Sequence, residues 1–222
     1  MAFEVVTGRQ SVDDPQSRPG QKPRVAILTS LTDFSPAYSL TGIILDQARM
    51  LHRAGYEYDV ICLRSFKTED KALAVLNPGW DKPEALHVRY CLSQIPLHDY
   101  KTNEVARADF EDQVKVTLEG NDSGEGYETV LEPYDVIITH DLMFLSWYLP
   151  ENKAVRSCVV KWPEKRWLHW CHSGPSVALD AKYPSTLRYQ GCANSQYVFL
   201  NFRQRQDLAN MMKVTPHDVS VV

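Results

Sequence analysis

The stretch WLHWCHSGPS, residues 167–176, places two imidazoles and a thiol within four positions, His169, Cys171 and His172. Histidine and cysteine ligate metals, and histidine moves protons near neutral pH. Three arrangements would use them: a metal site, a satisfied core, or a buried strand that delivers a histidine to a cleft. On a strand, side chains alternate, so His169 and Cys171 turn one way and Trp170 and His172 the other. A zinc site needs ligands that converge, with a fourth from elsewhere, and this spacing splits them between two faces. No metal is expected. Trp167, His169 and Cys171 fit a core. His172 stands where the strand stops, because Ser173-Gly174-Pro175 turns the chain. In open α/β sheets ligands bind outside the carboxyl ends of the strands, so His172 is the candidate for chemistry.

A second histidine is placed the same way. YDVIITHD (134–141) is a buried strand ending in His140-Asp141. His140 reads either as a site residue or as packing beside Asp141, and Asp141 reads as the N-cap of a helix over LMFLSWYLP that Pro150 stops. The loop SLTDFSPAYSLTG leads from the first strand into the first helix, and its amides would suit an anion at a helix N-terminus. Ser30, Ser39 and Thr41 are its candidate polar contacts. An ordinary surface loop is the other reading.

The elements that must position these residues follow from hydrophobic periodicity. RVAILTS is a short apolar run, as in a strand buried on both faces. SLTGIILDQARMLHRAG (39–55) has Leu40, Ile43, Ile44, Ala48 and Leu51 at helical spacing, with Gly55 as its stop. EYDVICL is the next strand, and a βαβ unit requires a parallel pair. Further along, residues 102–113 read as a short polar helix. VKVTLEGNDSGEGYETVLEP alternates about a turn, a hairpin signal. TLRYQGCANS ends a strand, Ser195 caps a helix over 196–212, and VTPHDVSVV carries a last strand. Strands are therefore predicted at 24–30, 57–63, 86–91, 134–140, 166–172, 188–194 and 218–222. The fold class is α/β: a three-layer domain over 24–222 with a mainly parallel sheet and a β-hairpin insertion. Residues 1–23, polar and with three prolines, form a loose arm.

Composition bounds the function. The 222 residues carry 44% apolar and 23% charged side chains, as in a globular protein. No apolar run is long enough to span a membrane, and the first residues lack the pattern of a secretory signal. Five cysteines, odd in number and widely spaced, form no disulfide framework, and Cys62 and Cys158 read as small buried hydrophobes. A cytoplasmic setting is expected. Residues 1–150 hold 14 Lys+Arg against 23 Asp+Glu, and residues 151–222 hold 10 against 5. The last third would thus face something anionic, or simply carry a mixed solvated surface. Lys161, Lys165, Arg166, Arg203 and Arg205 are read as surface. The net charge of −4 does not suit a general nucleic-acid binder. A nicotinamide dehydrogenase needs G-x-G-x-x-G after the first strand, and TSLTDFSPAYSLTG has none.

The order of these pieces resembles the N-terminal domain of a GT-B glycosyltransferase, in particular the retaining, glycogen-synthase-like family 4. RVAILTS followed by LHRAGYEYDVICL matches the opening strand, helix and strand. YDVIITHD, WLHWCHS and GCANSQYVFLNFRQRQDLANMMKVTPHDVSVV match later elements in the correct order. The resemblance spans roughly residues 24–222 and is poorest between 65 and 130. It implies a Rossmann-like acceptor-side domain and transfer of a sugar from a nucleotide-diphosphate sugar to an acceptor hydroxyl, with no cofactor and no catalytic metal. It makes His172 the catalytic, sugar-contacting residue. His140, Ser173, Ser39, Thr41 and Gly42 are the substrate-binding set, Gly42 standing where the family has a glycine pair. A nucleotide-binding half is implied on a longer chain or a partner subunit, and this chain alone is expected to be inactive. The alternative is a non-catalytic Rossmann-like binding or scaffold module for a small anionic ligand.

Overall fold

The computed structural model describes residues 22–29, 39–64, 87–100, 103–172, 181–199, 207, 209–211 and 219–221. Nine strands form one sheet: β1 (Val25–Leu28), β2 (Tyr58–Leu63), β3 (Val88–Leu92), β4 (Gly120–Asn121), β5 (Gly124–Glu125), β6 (Val136–His140), β7 (Arg166–Cys171), β8 (Ser195–Phe199) and β9 (Val219–Val221). Their order is β4-β5-β3-β2-β1-β6-β7-β8-β9. Every pairing is parallel except β4 with β5. This is a mostly parallel α/β sheet of Rossmann-like order, as the alternation of apolar runs and helical periodicity predicts. All four residues of β1 are buried, because the strand is central and has no polar face to offer.

Helices among the described residues include α1 (Ser39–Arg53), α2 (Glu104–Ala108), α3 (Phe110–Glu119), α4 (Tyr127–Val130) and α5 (Leu149–Lys161). Leu40, Ile44, Leu45 and Ala48 of α1 cluster with Val25, Ile27, Val60, Cys62 and Ile138. The alternate strand residues Ala26, Leu28, Ile61, Ile137, Trp167 and Cys171 cluster instead with Val130 of α4 and Ala154, Val155 and Cys158 of α5. Burial pushes the thiols of Cys62 and Cys158 up to about 12, and all five cysteines are free. Both behave as the small hydrophobes that the sequence implies.

Several expectations are corrected. The segment 188–194 is not a strand: Ser185–Tyr189 is a 3₁₀ turn, and the strand is β8 at Ser195–Phe199. Ser195 therefore opens a strand and does not cap a helix there. The run Tyr197-Val198-Phe199, aromatic and β-branched, prefers the sheet once β7 offers a parallel partner. No helix follows Asp141 directly. Pro150 lies in the first turn of α5, where the missing N–H costs nothing, so it starts a helix where it was expected to stop one. Lys165 is not a surface residue. It is buried, and its ammonium donates to the carbonyls of Leu131 (3.2 Å), Glu132 (2.5 Å) and Tyr134 (2.6 Å). Those carbonyls follow the short helix α4, where the chain has no further turn to satisfy them. Arg166 and Lys161 are exposed as expected, and Arg203 and Arg205 lie outside the described residues.

The alternating segment around Gly120–Gly126 pairs antiparallel over two residues a side, but its flanks are the helices α3 and α4. Helix packing overrides the period-two signal. Glycine permits the tight fit. A Cβ on Gly126 would lie 2.1 Å from Leu118 O and 2.4 Å from Gly120 N, both backbone atoms. Gly126→Ala is expected to cost ~3 kcal/mol, the upper end of overpacking. A urea midpoint equal to that of the parent protein would contradict this contact.

Candidate functional site

The carboxyl ends of β6 and β7 bring His140 and His172 together. His140 Nδ1 and His172 Nε2 are 2.9 Å apart. Their rings are nearly parallel, 11° apart, with centroids separated by 5.2 Å. That separation equals the nitrogen contact plus the two ring radii, so the rings meet edge to edge in one plane, along a straight hydrogen bond. Trp170 flanks both rings at 6.1 Å, on the same face of the sheet. The strand alternation placed Trp170 and His172 on that side, opposite His169.

Asp141 fixes the geometry. It adopts a left-handed backbone at φ 56, a conformation that aspartate tolerates better than most residues. Its amide donates to Trp170 O at 2.9 Å, and its carboxylate accepts the His172 amide at 2.7 Å. The residue read as a helix cap thus ties the ends of two neighbouring strands.

On the far side of His140, Nε2 lies 2.9 Å from Oε1 of Gln47 on α1. Gln47 was missed by the motif reading. The signal was present: Leu40, Ile44, Gln47 and Leu51 share one helical stripe, and Gln47 is its polar member. Burial pushes the His140 pKa down to about 3, and the neighbouring imidazole adds to the shift. Burial also lowers that of His172, against the opposing pull of the Asp141 carboxylate. The pair is therefore neutral at pH 7. The Nδ1 of His172 is buried and has no hydrogen-bond partner among the described residues.

The other candidates divide. Ser39 opens α1 and is exposed, Thr41 is buried in its first turn, and Gly42 has open space around it among the described residues. Gln47 lies two turns further on, about 12 Å along the helix axis. The helix start and the histidine pair are thus separate levels of α1. Ser30 and Ser173 lie outside the described residues. His169 belongs to the core, as expected. It is fully buried, with Nδ1 2.9 Å from Thr139 Oγ1 and Nε2 3.0 Å from Ser195 Oγ. The Ser195 hydroxyl donates to Ala193 O at 3.0 Å, so it accepts from His169 Nε2. Among the described residues no group of three or more His, Cys, Asp or Glu could hold a metal ion, and no helix is long and apolar enough to cross a membrane.

Neither a protein-family model nor a curated protein matches this chain. What the site can do is read from its geometry. Strand order reverses between β1 and β6, with β2 and β3 on one side and β7 and β8 on the other. The crevice at such a reversal is where open α/β sheets take ligands. His140 ends one of the two strands that flank it, and Gln47 comes from the helix that follows the other. A neutral imidazole with a bare nitrogen can accept a hydrogen bond or a proton.

Proposed function

We propose that the chain is the acceptor-side, Rossmann-like domain of a GT-B glycosyltransferase of the retaining type. In this reading it transfers a sugar from a nucleotide-diphosphate sugar to an acceptor hydroxyl in the cytoplasm. A second domain or subunit supplies the nucleotide site. The domain is three-layered, and the hairpin β4–β5 is an insertion. With those two strands set aside, the sheet runs third, second, first, then onward, the doubly wound order. The observation that carries the reading is the buried Nδ1 of His172, without a hydrogen-bond partner among the described residues, at the carboxyl edge of that sheet. A sugar hydroxyl is a natural donor to it. A small anion would want a cation or an N–H donor, whereas with Gln47 Oε1 against His140 the Nδ1 of His172 is an acceptor, which supports sugar contact over an anion-binding module. Bond cleavage passes through oxocarbenium character. The chain's contribution is positioning and polar contact, with charge on the leaving group handled by the nucleotide half.

Calorimetry with UDP-, GDP- and ADP-sugars tests this. Residues 1–222 alone are expected to bind none of them tightly, while the full reading frame, with its partner where it has one, transfers sugar from one of them. A submicromolar Kd for residues 1–222 would overturn the half-site view.

A further inference from the structure

Gln47 occupies a position where α1 would otherwise continue its apolar stripe, and its amide oxygen is spent on a buried ring. We propose that Gln47 is a positioning residue: acting through His140, it fixes which nitrogen of His172 faces the ligand, and so selects a hydrogen-donating hydroxyl. The inference rests on the reading of His172 as the ligand-contacting residue.

The order of the bonds is forced once Gln47 Oε1 is the atom against the ring. An amide oxygen has lone pairs and no hydrogen, so His140 donates from Nε2. A neutral imidazole carries one N–H, which leaves His140 Nδ1 bare. The 2.9 Å contact then requires His172 to donate from Nε2. That uses the one proton of His172, and its Nδ1 is left as an acceptor. With Gln47 Nε2 buried and without a hydrogen-bond partner in this orientation, the polarity of His172 Nδ1 follows from the placement of one amide oxygen on α1. A group one bond removed from the contacting histidine commonly fixes its tautomer in this way. If the Gln47 amide were rotated, every bond would reverse and His172 would present an N–H, which suits an anion.

Nitrogen-15 spectra of histidine-labelled residues 1–222, recorded at pH 7.5, read the ring protons directly. Both His140 and His172 are expected to be protonated at Nε2 alone. Gln47→Glu keeps an acceptor oxygen and should keep this pattern. Gln47→Leu fills the same space without an acceptor, and both rings should lose the single Nε2–H form. Inorganic phosphate should leave the His172 resonances unmoved. An Nδ1–H on His172 in the unsubstituted chain overturns the proposal, as does an unchanged spectrum in Gln47→Leu or a phosphate-induced shift at His172. Should Gln47→Leu fail to fold, the unsubstituted spectrum still decides the polarity. Absence of sugar transfer by the full protein alongside the expected spectra overturns the glycosyltransferase reading and supports the relay. Transfer alongside a reversed spectrum overturns the relay alone.

Discussion

At pH 5 the protein is expected to be about 4 kcal/mol less stable than at pH 7.5, from two histidines alone. His140 and His169 are buried, and each has its pKa lowered to about 3. Burial is the main cause for both; His172 adds to it at His140 and Arg156 at His169. Unfolded, each titrates near the ordinary histidine value of about 6.5. Between those values the unfolded chain binds more protons than the folded one, so acid favours unfolding. The stabilising neutral state is complete above pH 6.5 and is lost as pH falls toward 3. Each group contributes about 1.4 kcal/mol per pH unit in that window, or about 2 kcal/mol by pH 5. Against a typical total of about 5–15 kcal/mol, that is a large share. Urea midpoints at the two pH values measure it. His169→Gln keeps hydrogen-bonding capacity without the titration, and should remove about half of the pH dependence. Equal midpoints at pH 5 and 7.5 would mean that the two rings are charged or solvated in the fold.

The second large effect separates two histidines three residues apart. On the proposed glycosyltransferase reading, His172→Ala should reduce sugar transfer ~100-fold, the scale for removing one polar contact that strengthens in the transition state. Its stability cost should lie toward the low end of about 1–3 kcal/mol, since His172 is only partly buried although His140 Nδ1 loses its partner. His169→Ala should do the reverse. It leaves the buried Thr139 hydroxyl and the half-buried Ser195 hydroxyl without their partner, at a cost of about 1–3 kcal/mol, with turnover near normal once the protein is folded. Melting curves and initial rates on both variants decide this. Normal turnover in His172→Ala removes the central contact of the proposed site.

Much of this arrangement was legible in the chain. Short apolar runs located β1, β2, β6 and β7 to within two residues, because strands buried on both faces leave little alternative. Strand alternation sorted His169 from His172, because a period of two is a geometric fact. The errors share a cause. Local chemistry reads Ser195, Pro150 and Lys165 as cap, stop and surface charge, and each is overruled by a neighbour distant in sequence. For Ser195 it was β7, for Lys165 the carbonyls of residues 131–134. Pro150 is locally compatible with either end of a helix, and packing of Ala154, Val155 and Cys158 against the sheet chose the start. Gln47 was hidden for a related reason: its role appears only when a strand end 93 positions later lies against it.

The two-residue strand β4 closes one side of the sheet, turning back antiparallel on an otherwise parallel array. A long parallel margin would offer a row of free amides and carbonyls, on which a second molecule could build by strand addition. Among the described residues, the incoming strand would find only Gly120 and Asn121 before the helix α3 takes over. Growth of fibrils or edge-to-edge dimers from that side is thereby starved of a template. Any aggregation through it would have to wait until the hairpin has peeled away, exposing β3.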